Sequence, residues 1–223
     1  MDHISQFVKA MRQIQVEVAS PPNSDTSSAS VDPWLGFRVD WAKTSEARRQ
    51  LEAARRAMAG WINGEVEGLV LAGHPGSGKS HLARVAKAFF GDPLHALVIA
   101  EPELKASIQA SYNGVGEPET VLIGRLRRAP RLILDDIGTA YVKLETRAWW
   151  QEIFWRLLDK RAEQHMPLML TTNLELPALA EWLGARAFSR LADLLGDESN
   201  FVDMFQVPDY RMRNWKERRA GGG

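Results

Sequence analysis

The chain has 223 residues, 45% of them hydrophobic, with 28 Lys and Arg against 28 Asp and Glu. That length buries one sizeable core rather than two, and zero net charge speaks against a protein that wraps nucleic acid by bulk electrostatics, so any such contact should be local and shaped. The absence of cysteine excludes a disulfide scaffold and thiolate metal sites, and the five histidines form no i, i+4 pair beside a glutamate, so no zinc motif is present.

Met1-Asp2-His3 lacks the basic lead and apolar stretch of a signal peptide, and no apolar run approaches the roughly 18–20 residues of a membrane span. The expectation is a cytoplasmic protein with no membrane contact. Ile4, Phe7, Val8, Met11 and Ile14 follow helical spacing, which predicts a short amphipathic helix over residues 1–19. Residues 20–33 are rich in Pro, Ser and Asn without periodicity and read as a flexible linker. A helix tethered in this way either folds back onto the main body or docks on a partner. Residues 34–223 read as one α/β domain. A helix is predicted from Thr44 to Ile62, with Thr44 or Ser45 as its cap. Short buried strands are predicted at Gly68–Ala72, His95–Ala100, Arg131–Asp135, Leu168–Thr172 and Phe201–Val207. Separated by helical stretches, they imply a parallel sheet sandwiched by helices. A long helix is predicted from Leu144 to Gln164. Trp150, Ile153, Phe154, Leu157 and Leu158 form its apolar face, and Lys160, Arg161 and Glu163 continue past it.

Gly73-His74-Pro75-Gly76-Ser77-Gly78-Lys79-Ser80 stands between an apolar strand and a helix and has P-loop spacing. Its glycines let successive backbone N–H groups turn toward phosphate oxygens, and the helix N-terminus adds positive dipole. Lys79 is expected to reach the β- and γ-phosphates of ATP and Ser80 to sit on Mg²⁺, with Gly73, Gly76, Ser77, Gly78 and His81 completing the cradle. Asp135 and Asp136 end a strand in Leu132-Ile133-Leu134-Asp135-Asp136. Asp135 is expected to hold Mg²⁺ through water, and Asp136 to orient or deprotonate the attacking water. Asn173 ends the next predicted strand, where it can position water on the γ-phosphate side. Arg186 and Arg190 follow.

As a set these elements resemble the AAA+ ATPases of the DnaC/DnaI helicase-loader and IstB-like group. The resemblance rests on Glu67-Gly68-Leu69-Val70-Leu71, Gly78-Lys79-Ser80-His81-Leu82-Ala83, Leu134-Asp135-Asp136-Ile137-Gly138, Thr171-Thr172-Asn173-Leu174 and the arginine pair. It covers about Trp34 to Trp215 and ends on Asp209-Tyr210-Arg211. The resemblance implies an AAA+ fold with a truncated C-terminal lid. Asn173 would be sensor 1, Arg190 the arginine finger acting on a neighbour's ATP (Arg186 is the alternative), and Arg211 sensor 2. It also implies that Glu101–Tyr112 is a helix turned toward DNA, with Lys105, Ser107, Gln109, Ser111 and Tyr112 able to contact it. Tyr141 and Lys143, in the loop after the aspartates, are further candidates. The alternative for Tyr112 is that it closes a core helix. The implied role is an ATP-hydrolysing loader of a hexameric replicative helicase, gripped through the N-terminal helix, assembling as a ring or spiral on single-stranded DNA. An IstB-like transposition helper on duplex DNA is the alternative. A small-molecule kinase or a non-hydrolysing switch would share only the P-loop.

Overall fold

Alternation within the strands decides the architecture. In the computed structural model, which describes residues 37, 39–91, 95–140 and 143–212, odd and even strand positions feed two separate cores. The predicted helix at 1–19, the linker at 20–33 and Tyr141 lie outside those residues. Strands β1 (Gly68–Ala72), β2 (Leu97–Ala100), β3 (Leu132–Ile137), β4 (Leu168–Thr172) and β5 (Phe201–Asp203) make one parallel sheet ordered β2-β3-β4-β1-β5. Leu69, Leu71, Ile133 and Met169 face a core closed by helices α1 (Ser45–Asn63) and α2 (Lys79–Phe90). Val70, Leu132, Leu134, Leu168 and Leu170 face the other core. That side is covered by α3 (Glu101–Tyr112), α4 (Glu119–Arg128), α5 (Arg147–Glu163), α6 (Leu176–Leu183) and α7 (Ala185–Leu195). Both faces are therefore apolar, which is why the strands read as continuous hydrophobic runs. Among the described residues, no helix is long and apolar enough to cross a membrane.

Several boundaries differ from the sequence reading for local reasons. Thr44 is the cap of α1, its hydroxyl accepting from the Ala47 N–H at 3.2 Å, and Gly64 ends the helix at φ 78°. β5 stops at Asp203 because the chain turns away, the Asp203 carboxylate accepting from the Phe205 N–H at 2.7 Å. β3 starts one residue later and ends two residues later than predicted, through a register shift against β4 between Leu134 and Ile137. The long helix begins at Arg147, after a 3-10 turn at Leu144–Thr146. Its predicted apolar face is buried as expected, and Arg161, just past that face, is buried too. The Arg161 guanidinium donates to the carbonyls of Leu126 at 3.0 Å and Ala129 at 2.8 Å, and to Pro167. It thus satisfies the open carbonyl end of α4 and ties it to the entrance of β4. Desolvation lowers its pKa to about 10.

Candidate functional site

In an all-parallel sheet the strand C-termini lie at one edge, and here β1, β3 and β4 deliver their loops to the same place. The loop after β1 is closed by its own lysine. Lys79 is 4% exposed and donates from Nζ to the carbonyls of Gly73 at 2.8 Å and His74 at 2.9 Å, and to Ser77 Oγ at 3.3 Å. Burial lowers its pKa to about 8; Asp136 and Asp135 oppose the shift and Arg211 adds to it. A cation held largely out of water next to two carboxylates is ready to exchange loop carbonyls for phosphate oxygens. Gly78 starts α2 at φ 105°, a conformation open to glycine. Gly76, at φ 80°, leaves no room for a side chain: a Cβ there would overlap the Asp209 carboxylate.

Across the cradle, Ser80 Oγ donates to Asp135 Oδ1 at 3.1 Å, joining α2 to β3 over 55 residues of sequence. These are hard oxygen donors of the kind Mg²⁺ takes while keeping waters and phosphate oxygens as its other ligands. Among the described residues no group of three or more His, Cys, Asp or Glu forms a metal cage. Thr171 binds both aspartates: its hydroxyl donates to Asp135 Oδ1 and accepts the Asp136 N–H at 3.0 Å. Asp136 sits in the bulge at φ 56°, a left-handed conformation that is costly for a side-chain-bearing residue and marks a constrained position. Burial raises its pKa, the neighbouring Asp135 charge adds to that, and Lys79 and Arg211 work against it.

Gly76, Ser77, Gly78, Lys79, Ser80, Asp135 and Asp136 line one cavity of about 780 Å³, together with Asn173, Arg211 and His81. The sequence reading had assigned all of them, and the fold brings them together. What it missed is the wall made by Phe37, Trp41 and Tyr210. Trp41 and Tyr210 meet edge to face at 5.1 Å, and Phe37 stacks on His81 at 6.1 Å. The Tyr210 N–H donates to the Gly76 carbonyl at 3.1 Å, which docks the chain's C-terminal stretch on the P-loop. Such a wall offers a flat apolar surface to a base. His81 Nε2 is buried without a hydrogen-bond partner among the described residues, so a polar atom remains there for a ligand. The only sequence signal for the wall was two aromatics, Phe37 and Trp41, just ahead of α1.

Arg186 and Arg190 do not line the cavity. Arg190 pairs with Asp159 at 2.8 Å and Asp193 at 3.1 Å. Arg186 lies 3.5 Å over the Trp155 ring and 3.3 Å from Glu152. Both project from α7 toward α5, away from this chain's own cradle. Tyr112, the last residue of α3, is 62% exposed and contacts Trp149 at a ring separation of 6.2 Å. Its hydroxyl donates to the Glu119 carboxylate. Lys105 stands two helical turns earlier on the same side as Tyr112. Ser107 instead lines a hollow beside β2 with Glu103 and Ala110, and Lys143 is exposed.

The comparisons with known proteins fit this geometry. Over 131 residues the chain is 24% identical to the replicative helicase loader DnaC of Escherichia coli (strain K12), covering 58% of this chain and 52% of that protein. The crystal structure of DnaI superposes with a TM-score of 0.56 at 22% identity, over 71% of this chain and 83% of DnaI. The chain is thus similar to DnaC in sequence and to DnaI in fold. It spans about half the length of that curated relative. The replication initiator DnaA bound to AMPPCP and single-stranded DNA shares the fold, with a TM-score of 0.56 at 16% identity, over 82% of this chain and 54% of DnaA. No family model matches.

Within this site the bridging hydroxyl makes a direct prediction. Thr171→Val keeps the side-chain shape but leaves the Asp136 N–H unsatisfied, at a cost of about 1–3 kcal/mol. A melting temperature lower by about 2–4 °C per kcal/mol is expected, with turnover reduced more than nucleotide affinity. Thermal melts and steady-state assays check both, and parental values in each would dismiss the bridge.

Proposed function

We propose that this chain is an ATP-hydrolysing loader of a replicative DNA helicase that assembles on single-stranded DNA. The observation that carries the reading is the Ser80–Asp135 contact at 3.1 Å, with Lys79 and Asp136 beside it at the same sheet edge. The similarity to DnaC supplies the class of partner. In this mechanism Lys79 leaves the Gly73 and His74 carbonyls for the β- and γ-phosphates. Ser80 and Asp135 would hold Mg²⁺, which would supply positive charge to neutralise the phosphate oxygens. Asp136 accepts a proton from the attacking water or orients it, Asn173 helps place that water, and Arg211 faces the phosphates from the C-terminal segment. Arg190 serves a neighbouring subunit's ATP in a ring or spiral. Residues 1–19 form the helicase contact.

For DNA, the exposed Tyr112 and Trp149 rings offer a stacking surface, with Lys105 for a phosphate. Lys143 and Tyr141 extend the candidate track. Lys105→Ala combined with Tyr112→Ala is expected to weaken binding of an oligo(dT) strand. Loss of one stacked base, about 1–3 kcal/mol, corresponds to roughly 5- to 150-fold. The lysine share should shrink as salt rises, because it acts by counterion release, while the tyrosine share persists. Fluorescence anisotropy over a salt series, with ATPase assays with and without the strand and with a hexameric helicase, tests the reading. Parental affinity in the double variant sinks the α3 assignment. Equal affinity of the parent for duplex and single strand moves the reading to the IstB-like role.

A further inference from the structure

Glu101 is the first residue of α3, is 1% exposed, and is met on both carboxylate oxygens by N–H donors alone among the described residues. Its Oε2 accepts from the successive backbone N–H groups of Gly138 at 2.7 Å, Thr139 at 3.0 Å and Ala140 at 3.2 Å. Its Oε1 accepts from the indole N–H of Trp150 on α5 at 2.9 Å and of Trp182 on α6 at 2.8 Å. A run of three backbone N–H groups turned to one point is an anion nest, and here the chain fills it with its own carboxylate. An ionised carboxylate at 1% exposure is tolerated only when its lone pairs are taken up in this way.

The nest lies immediately after Asp136. The Asp136 carbonyl accepts from Thr139 Oγ1 at 2.6 Å and from the Thr139 N–H at 3.3 Å. That same Thr139 N–H also reaches Glu101. A left-handed Asp persists only where its surroundings over-determine it. The Thr171 hydroxyl fixes its N–H side, and the loop clamped by Glu101 fixes its carbonyl side. We propose that Glu101 is a positioning residue for hydrolysis: through the loop at 138–140 it holds Asp136 in the conformation that aims its carboxylate into the nucleotide cavity. Because α3 begins at Glu101, a displacement of that helix reaches Asp136 through one carboxylate. The inference rests on the hydrolytic reading of Asp136 given above.

Glu101→Gln tests it. The amide turns one acceptor into a donor, which must then face either the loop N–H groups or the indoles. The expected result is a fall in turnover of at least tenfold at saturating ATP and Mg²⁺, with the affinity for a fluorescent ATP analogue within threefold of the parent. Trp182→Phe keeps a ring but removes one donor to Oε1, and a two- to fivefold fall in turnover at unchanged affinity is expected. Turnover of Glu101→Gln within twofold of the parent overturns the proposal. So does a parallel loss of turnover and affinity, which would mean general loosening of the site. If Glu101→Gln does not fold, Trp182→Phe decides, and parental turnover there overturns the proposal. A parent that binds the analogue but never hydrolyses ATP removes the hydrolytic reading first, and is distinguished because it fails before any variant is compared.

Discussion

Replacing Lys79 by alanine is expected to abolish measurable ATP binding while leaving the fold standing. Among the described residues, every hydrogen-bond partner of the Lys79 ammonium lies within the loop itself, at Gly73, His74 and Ser77, so neither core depends on it. The ammonium's pKa of about 8 records how far burial has already removed it from water. A phosphate group restores to that cation the charge complement that solvent would give. Charge-assisted hydrogen bonds contribute about 1.5–3 kcal/mol each, so two lost phosphate contacts imply about 10²- to 10⁴-fold weaker binding. Lys79→Arg should also bind poorly, because a planar fork cannot reproduce a point charge seated between two loop carbonyls. Calorimetric titration with ATP and Mg²⁺ checks both variants, and a thermal melt confirms that each is folded. Parental affinity in Lys79→Ala would remove the P-loop reading and everything built on it.

The cradle was legible because its parts are short motifs at strand ends. The short runs Gly68–Ala72 before Gly73 and Leu168–Thr172 before Asn173 were enough to place β1 and β4 with their observed bounds. Strands buried on both faces carry that signal in composition alone. The rest depended on partners far along the chain. Nothing in the residues around Arg161 signals its burial, which the carbonyl end of α4 explains. Glu101 reads as an ordinary acidic residue opening a helix, while its five N–H partners lie between residues 138 and 182. The aromatic wall draws Phe37 and Trp41 from one end of the domain and Tyr210 from the other, so no window of sequence contains it. The left-handed Asp136 belongs to a bulge, a property of strand pairing that residue types do not encode.

Arg190→Ala is expected to leave ATP binding intact and to cut turnover by roughly 10³-fold or more, the scale on which arginine fingers act. In a single subunit Arg190 stands outside the cavity and is held at the surface by Asp159 and Asp193. Exposed pairs of this kind contribute little to stability, so the side chain is free to be exchanged onto a neighbour's phosphate when subunits pack head to tail. Action between subunits has a consequence that action within one subunit lacks. Lys79→Ala protein cannot hold ATP but carries an intact Arg190; Arg190→Ala protein holds ATP but lacks the finger. In an equal mixture assembling at random, about one interface in four joins a competent cradle to a competent finger. Two inactive proteins should therefore regain up to about a quarter of parental turnover on mixing, with the recovery peaking near equal proportions. A mixing series read by phosphate release, with co-assembly verified by size, makes the test. Assembly without any recovery across the series would place the arginine's effect inside its own subunit, or show that Arg186 is the residue that crosses the interface, which the same series with Arg186→Ala would then reveal.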